Sequence, residues 1–492
     1  MAKMELNAHR EIGKRDKKIF GQFIEHFHRQ IYGGIYEPGS ALSDSRGFRK
    51  DVLDALKNIE VPVVRWPGGC FVSAYNWKDG VGKNRVPYFD KAWRVEESNE
   101  FGTDEFMEYC REIGAEPYIC TNAGTGTPEE MSDWVEYCNL ESEGKWAKLR
   151  IENGYKEPFK VKYWSIGNEN YGHWEMGAKE IGEWGSFVRE SAKMMKRVDP
   201  TIELLAASIP DLDWNIDLLR KAGKYLDWIS IHDYWDKPGI NNELSNYEYC
   251  MAKTVHIEPP IVRTKSILES LGYLGKIRIA FDEWNLRGWY HPHVDSKTED
   301  CVTPRDKNDD NSTYTMADAV FSASVLNACH RHCDVVGMAN FAPTVNTRGA
   351  VFTNPEGIVL RSTYHVFALY TQQLGDVVID SWLGDNRSFT VGEGDAAVQV
   401  PTLDIVATKR TEDASLRTAI VNRHPEQPET IIVPVGGSYT QATLYSVVGD
   451  SKDAYNDVGI NQVRTVRRPL AIEGQQLQFD VEPHSVNVLV LA

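Results

Sequence analysis

Eight extended apolar runs alternate with eight segments of helical periodicity, and short strands with period-two alternation follow them. Together these predict a (β/α)8 TIM barrel followed by an all-β, jelly-roll-like sandwich. The predicted strands are 18–24, 61–66, 117–121, 162–166, 203–207, 228–232, 277–282 and 335–341. The helical segments, with apolar residues three and four apart, are 48–58, 103–113, 128–138, 181–198, 214–224, 262–271, 316–333 and 364–374. Boundary signals agree with this order. Thr127-Pro128-Glu129-Glu130 offers an N-cap, a proline at the first helical position and a glutamate in the first turn, and Asp199-Pro200 ends the long fourth helix. Beyond residue 375, segments such as 430–434, 442–448, 477–481 and 486–490 alternate between apolar and polar and are separated by Gly, Pro, Asn and Asp. The division expected is a catalytic barrel over 16–375 and a β-sandwich built from 1–15 plus 376–492.

Composition narrows the function. A chain of 492 residues, 42% hydrophobic and 11% aromatic, can bury a large core. Its 54 basic and 71 acidic residues give a formal charge of -17, and no basic stripe is present, which argues against a nucleic-acid partner. The first residues, Met1-Ala2-Lys3-Met4-Glu5-Leu6-Asn7, contain no apolar signal core, and no apolar run is long enough to span a membrane, so a cytoplasmic protein is expected. Eight cysteines within apolar patterns read as reduced core residues.

Two motifs carry chemistry. Gly167-Asn168-Glu169-Asn170 follows the fourth predicted strand, and Asp282-Glu283-Trp284-Asn285 follows the seventh. Barrel enzymes act at the carboxyl ends of their strands. Two carboxyls there suffice to cleave a glycosidic bond, one protonating the leaving oxygen and the other attacking or stabilising the anomeric carbon.

Arg65-Trp66-Pro67-Gly68-Gly69-Cys70, Tyr75-Asn76-Trp77-Lys78-Asp79-Gly80, the segment from Trp164 to Asn170, His232, Asp282-Glu283-Trp284 and Met338-Ala339-Asn340 occur in that order. In this order and at these spacings the chain resembles the α-L-arabinofuranosidases of glycoside hydrolase family 51. The similarity runs through the barrel and into the tail near Pro401. The resemblance implies Glu169 as general acid/base and Glu283 as nucleophile, with Arg65 keeping the nucleophile ionised and His232 in a supporting position. It further implies that Asn168 hydrogen-bonds the sugar 2-hydroxyl, that Tyr234 holds the nucleophile, and that Glu25, Cys70, Trp284 and Trp289 line the sugar pocket. The activity implied is exo-acting, retaining release of terminal α-L-arabinofuranosyl residues from arabinoxylan- or arabinan-derived oligosaccharides, by a homo-oligomer that is a hexamer in bacterial relatives.

Three departures bear on the substrate. Ala342-Pro343 stands where the family commonly has Ala-Gln, Asp233 stands where an aromatic is usual, and the polar, acidic segment 291–312 is distinct. They keep a retaining endo-β-1,4-glucanase or β-xylosidase as the alternative; a carbohydrate-binding protein without catalysis ranks lower, because Arg65 and both glutamates are present. Other signals read as structural. In Cys329-His330-Arg331-His332-Cys333 only the two cysteines share a helix face, so no zinc site is expected. The acidic run 306–311 lacks the glycine and final glutamate of a calcium loop. Gly124-Thr125-Gly126 reads as a turn on the catalytic face, and no metal or cofactor is expected.

Overall fold

The computed structural model describes residues 1–237, 243–288, 309–436 and 439–492. Eight parallel strands close a barrel in chain order: β1 (Gly21–Phe23), β2 (Val63–Trp66), β3 (Glu116–Thr121), β4 (Tyr163–Ile166), β5 (Glu203–Ala207), β6 (Trp228–Asp236), β7 (Arg278–Arg287) and β8 (Val336–Phe341). Side chains of Val63, Tyr118, Tyr163, Leu205, Trp228, Ala280 and Met338 fill the interior, so the barrel is a packed core with its open face above the strand ends.

The expected first strand is shortened. Lys17–Phe20 forms a 3-10 turn because the Asp16 carboxylate accepts from the Lys18 amide at 3.1 Å, and only Gly21–Phe23 pairs. A Cβ on Gly21 would lie 2.8 Å from the Ala339 carbonyl, closer than any side chain tolerates. In contrast, β6 and β7 outrun the expected 228–232 and 277–282. Arg287, at the end of β7, holds the extension by donating to Asp236 at 2.7 Å and to Asp318 at 3.0 Å.

Helices Thr103–Ile113 and Ile181–Val198 lie where periodicity placed them. The cap before Pro128–Asn139 forms as expected, with Thr127 accepting from the Glu130 amide at 3.2 Å. Helices Gly144–Glu152 and Tyr247–Lys253 and the hairpin Tyr88–Asp90/Val95–Glu97 lie outside the eight predicted units. No helix among the described residues is long and apolar enough to cross a membrane.

Apart from two small two-stranded pieces, Ser388–Val391/Val398–Pro401 and Asn456–Asp457/Ile460–Asn461, the C-terminal strands belong to one hydrogen-bonded sheet of nine, which the strand Ala2–Lys14 joins by pairing antiparallel to Val377–Gly384 and briefly parallel to Glu429–Pro434. Phe479 from one edge strand and Leu444 from next to the other edge share a single apolar cluster with Ile405, Ile420 and Leu489, so the sheet folds over on itself. Its other face meets helix Met316–Arg331, which is buried on nearly all sides. There the Cys329–Cys333 segment serves packing. His330 pairs with the Leu326 carbonyl, and Arg331 joins Glu258 to Asp404 across to the sheet. The seven described cysteines are free and buried.

Candidate active site

The turn after β2 is built around Glu25. Gly68 has φ 144°, and a Cβ there would lie 2.2 Å from the Glu25 Cγ; a Cβ on Gly69 would lie 3.2 Å from a Glu283 oxygen. The two glycines therefore let the backbone pass between two carboxyls. The Gly69 and Phe71 amides donate to Glu25 Oε1 at 3.0 and 3.1 Å, and the Trp93 indole donates to the same oxygen at 2.8 Å.

Glu283 owes its direction to a bulge in β7. Ala280 pairs with Ser230, but Glu283 pairs with His232, so three steps on β7 match two on β6. The bulge shifts the inward phase. Ala280 and Asp282 point into the barrel below it, and Glu283 does so above it. Asp282 accepts from Tyr118 at 2.5 Å and from Ser230 at 2.6 Å. Glu283 accepts from Arg65 Nη1 at 2.6 Å on Oε2 and from the Tyr234 hydroxyl at 2.7 Å on Oε1. Arg65, wholly buried, donates a further bond to Asn168 Oδ1 at 2.7 Å, and its Nε lies 3.5 Å from Asp282.

Glu169 sits in a strained turn. Its φ is 44°, in the left-handed region that non-glycine residues rarely occupy. The Gly167 before it has φ 74°, and a Cβ there would lie 2.0 Å from Asn170 Oδ1. The turn aims Glu169 at the pocket, where Trp174 donates to Oε2 at 2.7 Å and His232 Nδ1 lies 2.9 Å from Oε1. Ligand atoms of Glu169, His232 and Glu283 lie within 4.8 Å of one another, so the two glutamates bring carboxyl oxygens at least that close. Cys70, Glu169 and Glu175 form a second group on the same scale. These two groups are the sets of described residues whose atoms could surround a metal ion, and both include Glu169.

Charge divides the roles. Burial opposes protonation of His232, but Glu283, Asp282 and Glu169 outweigh it and push its pKa up to about 10. Burial likewise opposes ionisation of Asp282, yet bonds to His232, charge from His232 and Arg65, and Ser230 hold it at about 2. Arg65 and His232 thus balance Asp282 and Glu283. Burial lifts Glu25 to about 8, helped by Glu283, and lifts Glu175 to about 8, helped by Glu169.

Glu25, Arg65, Cys70, Asn168, Glu169, His232, Tyr234 and Glu283 thus converge on one pocket. Trp284 does not join them. The bulge turns it outward, and its ring, fully buried, packs on Phe341 and Phe367 between barrel and helices; the expected sugar contact is corrected to a core contact. Trp289 and most of 291–312 lie outside the described residues. Asp309 pairs with His28 and Arg29 at 3.0 and 3.2 Å, so this end of the acidic run is tied to the barrel. The amides of Gly124, Thr125 and Gly126 all donate to Asn122 Oδ1, which leaves no anion cradle there. Sequence reasoning missed Trp93, Trp174, Glu175 and Asp282. Only Asp282 had a visible signal, its place beside Glu283; the others reach the site through loops whose path no periodicity encodes.

Paired carboxyls, one just past β4 and one on the carboxyl-terminal half of β7 in a closed parallel barrel, with one carboxylate held by a buried arginine, define a glycoside hydrolase. The family model for the "Alpha-L-arabinofuranosidase 1 domain" matches residues 55–251, and that for the "Alpha-L-arabinofuranosidase C-terminal domain" matches 282–485. A probable α-L-arabinofuranosidase C of Aspergillus flavus is 35% identical, covering 94% of this chain and 92% of that one. The intracellular exo-α-(1→5)-L-arabinofuranosidase 1 of Bacillus subtilis is 34% identical, covering 88% and 86%. The thermostable GH51 α-L-arabinofuranosidase of Thermotoga petrophila superposes with a TM-score of 0.89 at 35% identity, covering 100% of both chains. The chain belongs to the α-L-arabinofuranosidases of glycoside hydrolase family 51.

Proposed function

We propose that this enzyme is an exo-acting, retaining α-L-arabinofuranosidase that trims terminal arabinofuranosyl residues from short arabinoxylan- or arabinan-derived oligosaccharides. The observation that carries the reading is the approach of the Glu169 and Glu283 carboxyls to within 4.8 Å. That spacing suits a nucleophile touching the anomeric carbon and leaves no room for the intervening water of an inverting enzyme, whose carboxyls stand roughly 6.5–9.5 Å apart. Glu283 attacks the anomeric carbon while Glu169 gives its proton to the departing oxygen. A glycosyl ester on Glu283 results. Glu169 then takes a proton from water, which attacks the same carbon, and the ester bond to Glu283 breaks. Arg65 and Tyr234 hold the attacking carboxylate, and Arg65 fixes the Asn168 oxygen, so that the remaining amide hydrogen of Asn168 can meet the sugar 2-hydroxyl.

The name of the Bacillus subtilis relative supports an exo mode and a cytoplasmic site of action. The resemblance to the family supports a homo-oligomer, a hexamer in bacterial relatives, which light scattering would test as a mass six times that of the chain. The substrate test compares aryl α-L-arabinofuranoside, β-D-xyloside and β-D-glucoside, with NMR of the first-formed sugar. Preference for the arabinofuranoside with retained configuration is expected. Preference for either pyranoside, or an inverted product, would overturn the proposal.

A further inference from the structure

Glu175 has no part in the cleavage just described, yet it is buried within the site. Its Oε1 accepts from Asn168 Nδ2 at 2.8 Å and its Oε2 from Ser73 at 2.5 Å, and the Cys70 thiol is hydrogen-bonded to it as well. Atoms of Glu175, Cys70 and Glu169 lie within 4.8 Å of one another. No cation among the described residues forms an ion pair with it. Besides each other, the titratable groups acting on Glu175 or Glu169 include Glu25, Cys70, Tyr171, His232 and Asp233. Among the described residues, five carboxyls, those of Glu25, Glu169, Glu175, Asp282 and Glu283, share the site with two cations, Arg65 and His232. Arg65 pairs with Glu283 and lies near Asp282, and His232 is shared among Asp282, Glu283 and Glu169, with Glu169 nearest at 2.9 Å. Glu175 has no such contact among the described residues, and burial together with the neighbouring Glu169 favours a proton on it.

We propose that Glu175 is a positioning residue for the reaction: it orients the Asn168 amide and, as a second carboxyl beside Glu169, holds the transferable proton on that acid. The proposal rests on the assignment of Glu169 as acid/base. Two carboxyls this close do not both ionise readily, so the pair titrates in two coupled steps. While Glu175 bears charge, Glu169 gives up its proton only at higher pH. While Glu175 is neutral, it still accepts from Asn168.

The test uses Glu175→Gln and Glu175→Ala in the full chain, with kcat/KM for an aryl α-L-arabinofuranoside followed against pH. Glu175→Gln keeps shape and an acceptor for Asn168 but removes the second titrating group. Its basic limb, which reports the acid in the free enzyme, is expected to move toward lower pH by roughly one unit or more, with KM near that of the wild type. Glu175→Ala also releases Asn168 and is expected to lower kcat by about 10- to 100-fold. An unmoved basic limb in a folded Glu175→Gln enzyme would overturn the proposal, as would equal kcat in Glu175→Gln and Glu175→Ala. Wild type without activity on any arabinofuranoside would instead refute the assignment of substrate, and a basic limb that survives Glu169→Ala would refute that of the acid.

Discussion

Replacing Arg65 with Met removes the cation on which the nucleophile is built while keeping an apolar side chain of similar reach. Arg65 is wholly buried and donates at 2.6 Å to Glu283 and at 2.7 Å to Asn168, with Asp282 at 3.5 Å. A hydrogen bond to a charged partner contributes about 1.5–3 kcal/mol, and breaking a buried pair from one side costs about 3–5 kcal/mol, because the abandoned charge stays in the core. Two carboxylates lose this cation here and keep only His232 and neighbouring hydroxyls among the described residues. Arg65→Met is therefore expected to lose about 3–5 kcal/mol of stability as well as activity. Glu283→Gln is expected to be inactive but far less destabilised, since Arg65 keeps Asp282 and Asn168 as partners. The double variant should recover about 2 kcal/mol or more over Arg65→Met, for it no longer buries the unpaired Glu283 charge. Urea unfolding of the three variants beside the wild type measures the coupling. Additive losses, or an Arg65→Met protein as stable as Glu283→Gln, would refute the view that orphaned charge dominates.

The same geometry sets other outcomes. Glu283→Ala should abolish turnover of every glycoside, whereas Glu169→Ala should still form the glycosyl ester from an activated aryl leaving group and yield a glycosyl azide of retained configuration with added azide; an inverted azide refutes the roles. His232, raised to about 10 from its ordinary 6.5, favours the folded state fully below pH 6.5, and that contribution fades as pH climbs toward 10. The wild type should therefore lose its stability advantage over His232→Gln within that window, and a constant difference from pH 6 to 10 would contradict the charge assignment. Gly68→Ala must displace Glu25, whose Cγ would lie 2.2 Å from the new Cβ, in a backbone with φ 144°. A cost of about 1–3 kcal/mol and a raised KM are expected, and wild-type kinetics would show that the turn yields elsewhere.

The barrel was legible because each strand-helix unit repeats a change from an apolar run to helical spacing, and the sequence holds eight such changes. Glu169 and Glu283 were legible because both stand just past apolar runs. Boundaries failed where one contact overrode the pattern. The Asp16 carboxylate turned 17–20 into a 3-10 segment, and the Arg287 bonds to Asp236 and Asp318 carried β7 well past its apolar stretch. Trp93 and Trp174 arrive from irregular loops, so their bonds to Glu25 and Glu169 depend on the tertiary path alone. Glu175, six residues beyond Glu169, resembled any loop carboxylate until folding placed it under Asn168.

Trp284 shows how one backbone irregularity organises the chemistry. In an unbroken strand Asp282 and Glu283 would face opposite sides, since successive side chains alternate. Yet the site needs both inside. Asp282 anchors Tyr118, Ser230 and His232 on the barrel floor, and Glu283 rises above it toward Arg65 and Tyr234. The extra residue between Ala280 and Glu283 resolves the conflict by letting two neighbours point inward before alternation resumes in the other phase. Asn285 and Arg287 then face the side taken by Glu283, bonding the Ala342 carbonyl and Asp236, and Trp284 is forced outward. Its indole, wedged against Phe341 and Phe367, fills the apolar layer behind the nucleophile. The tryptophan expected to stack on the sugar therefore acts from the opposite face, where its packing limits how far the Glu283 backbone can rotate or retreat.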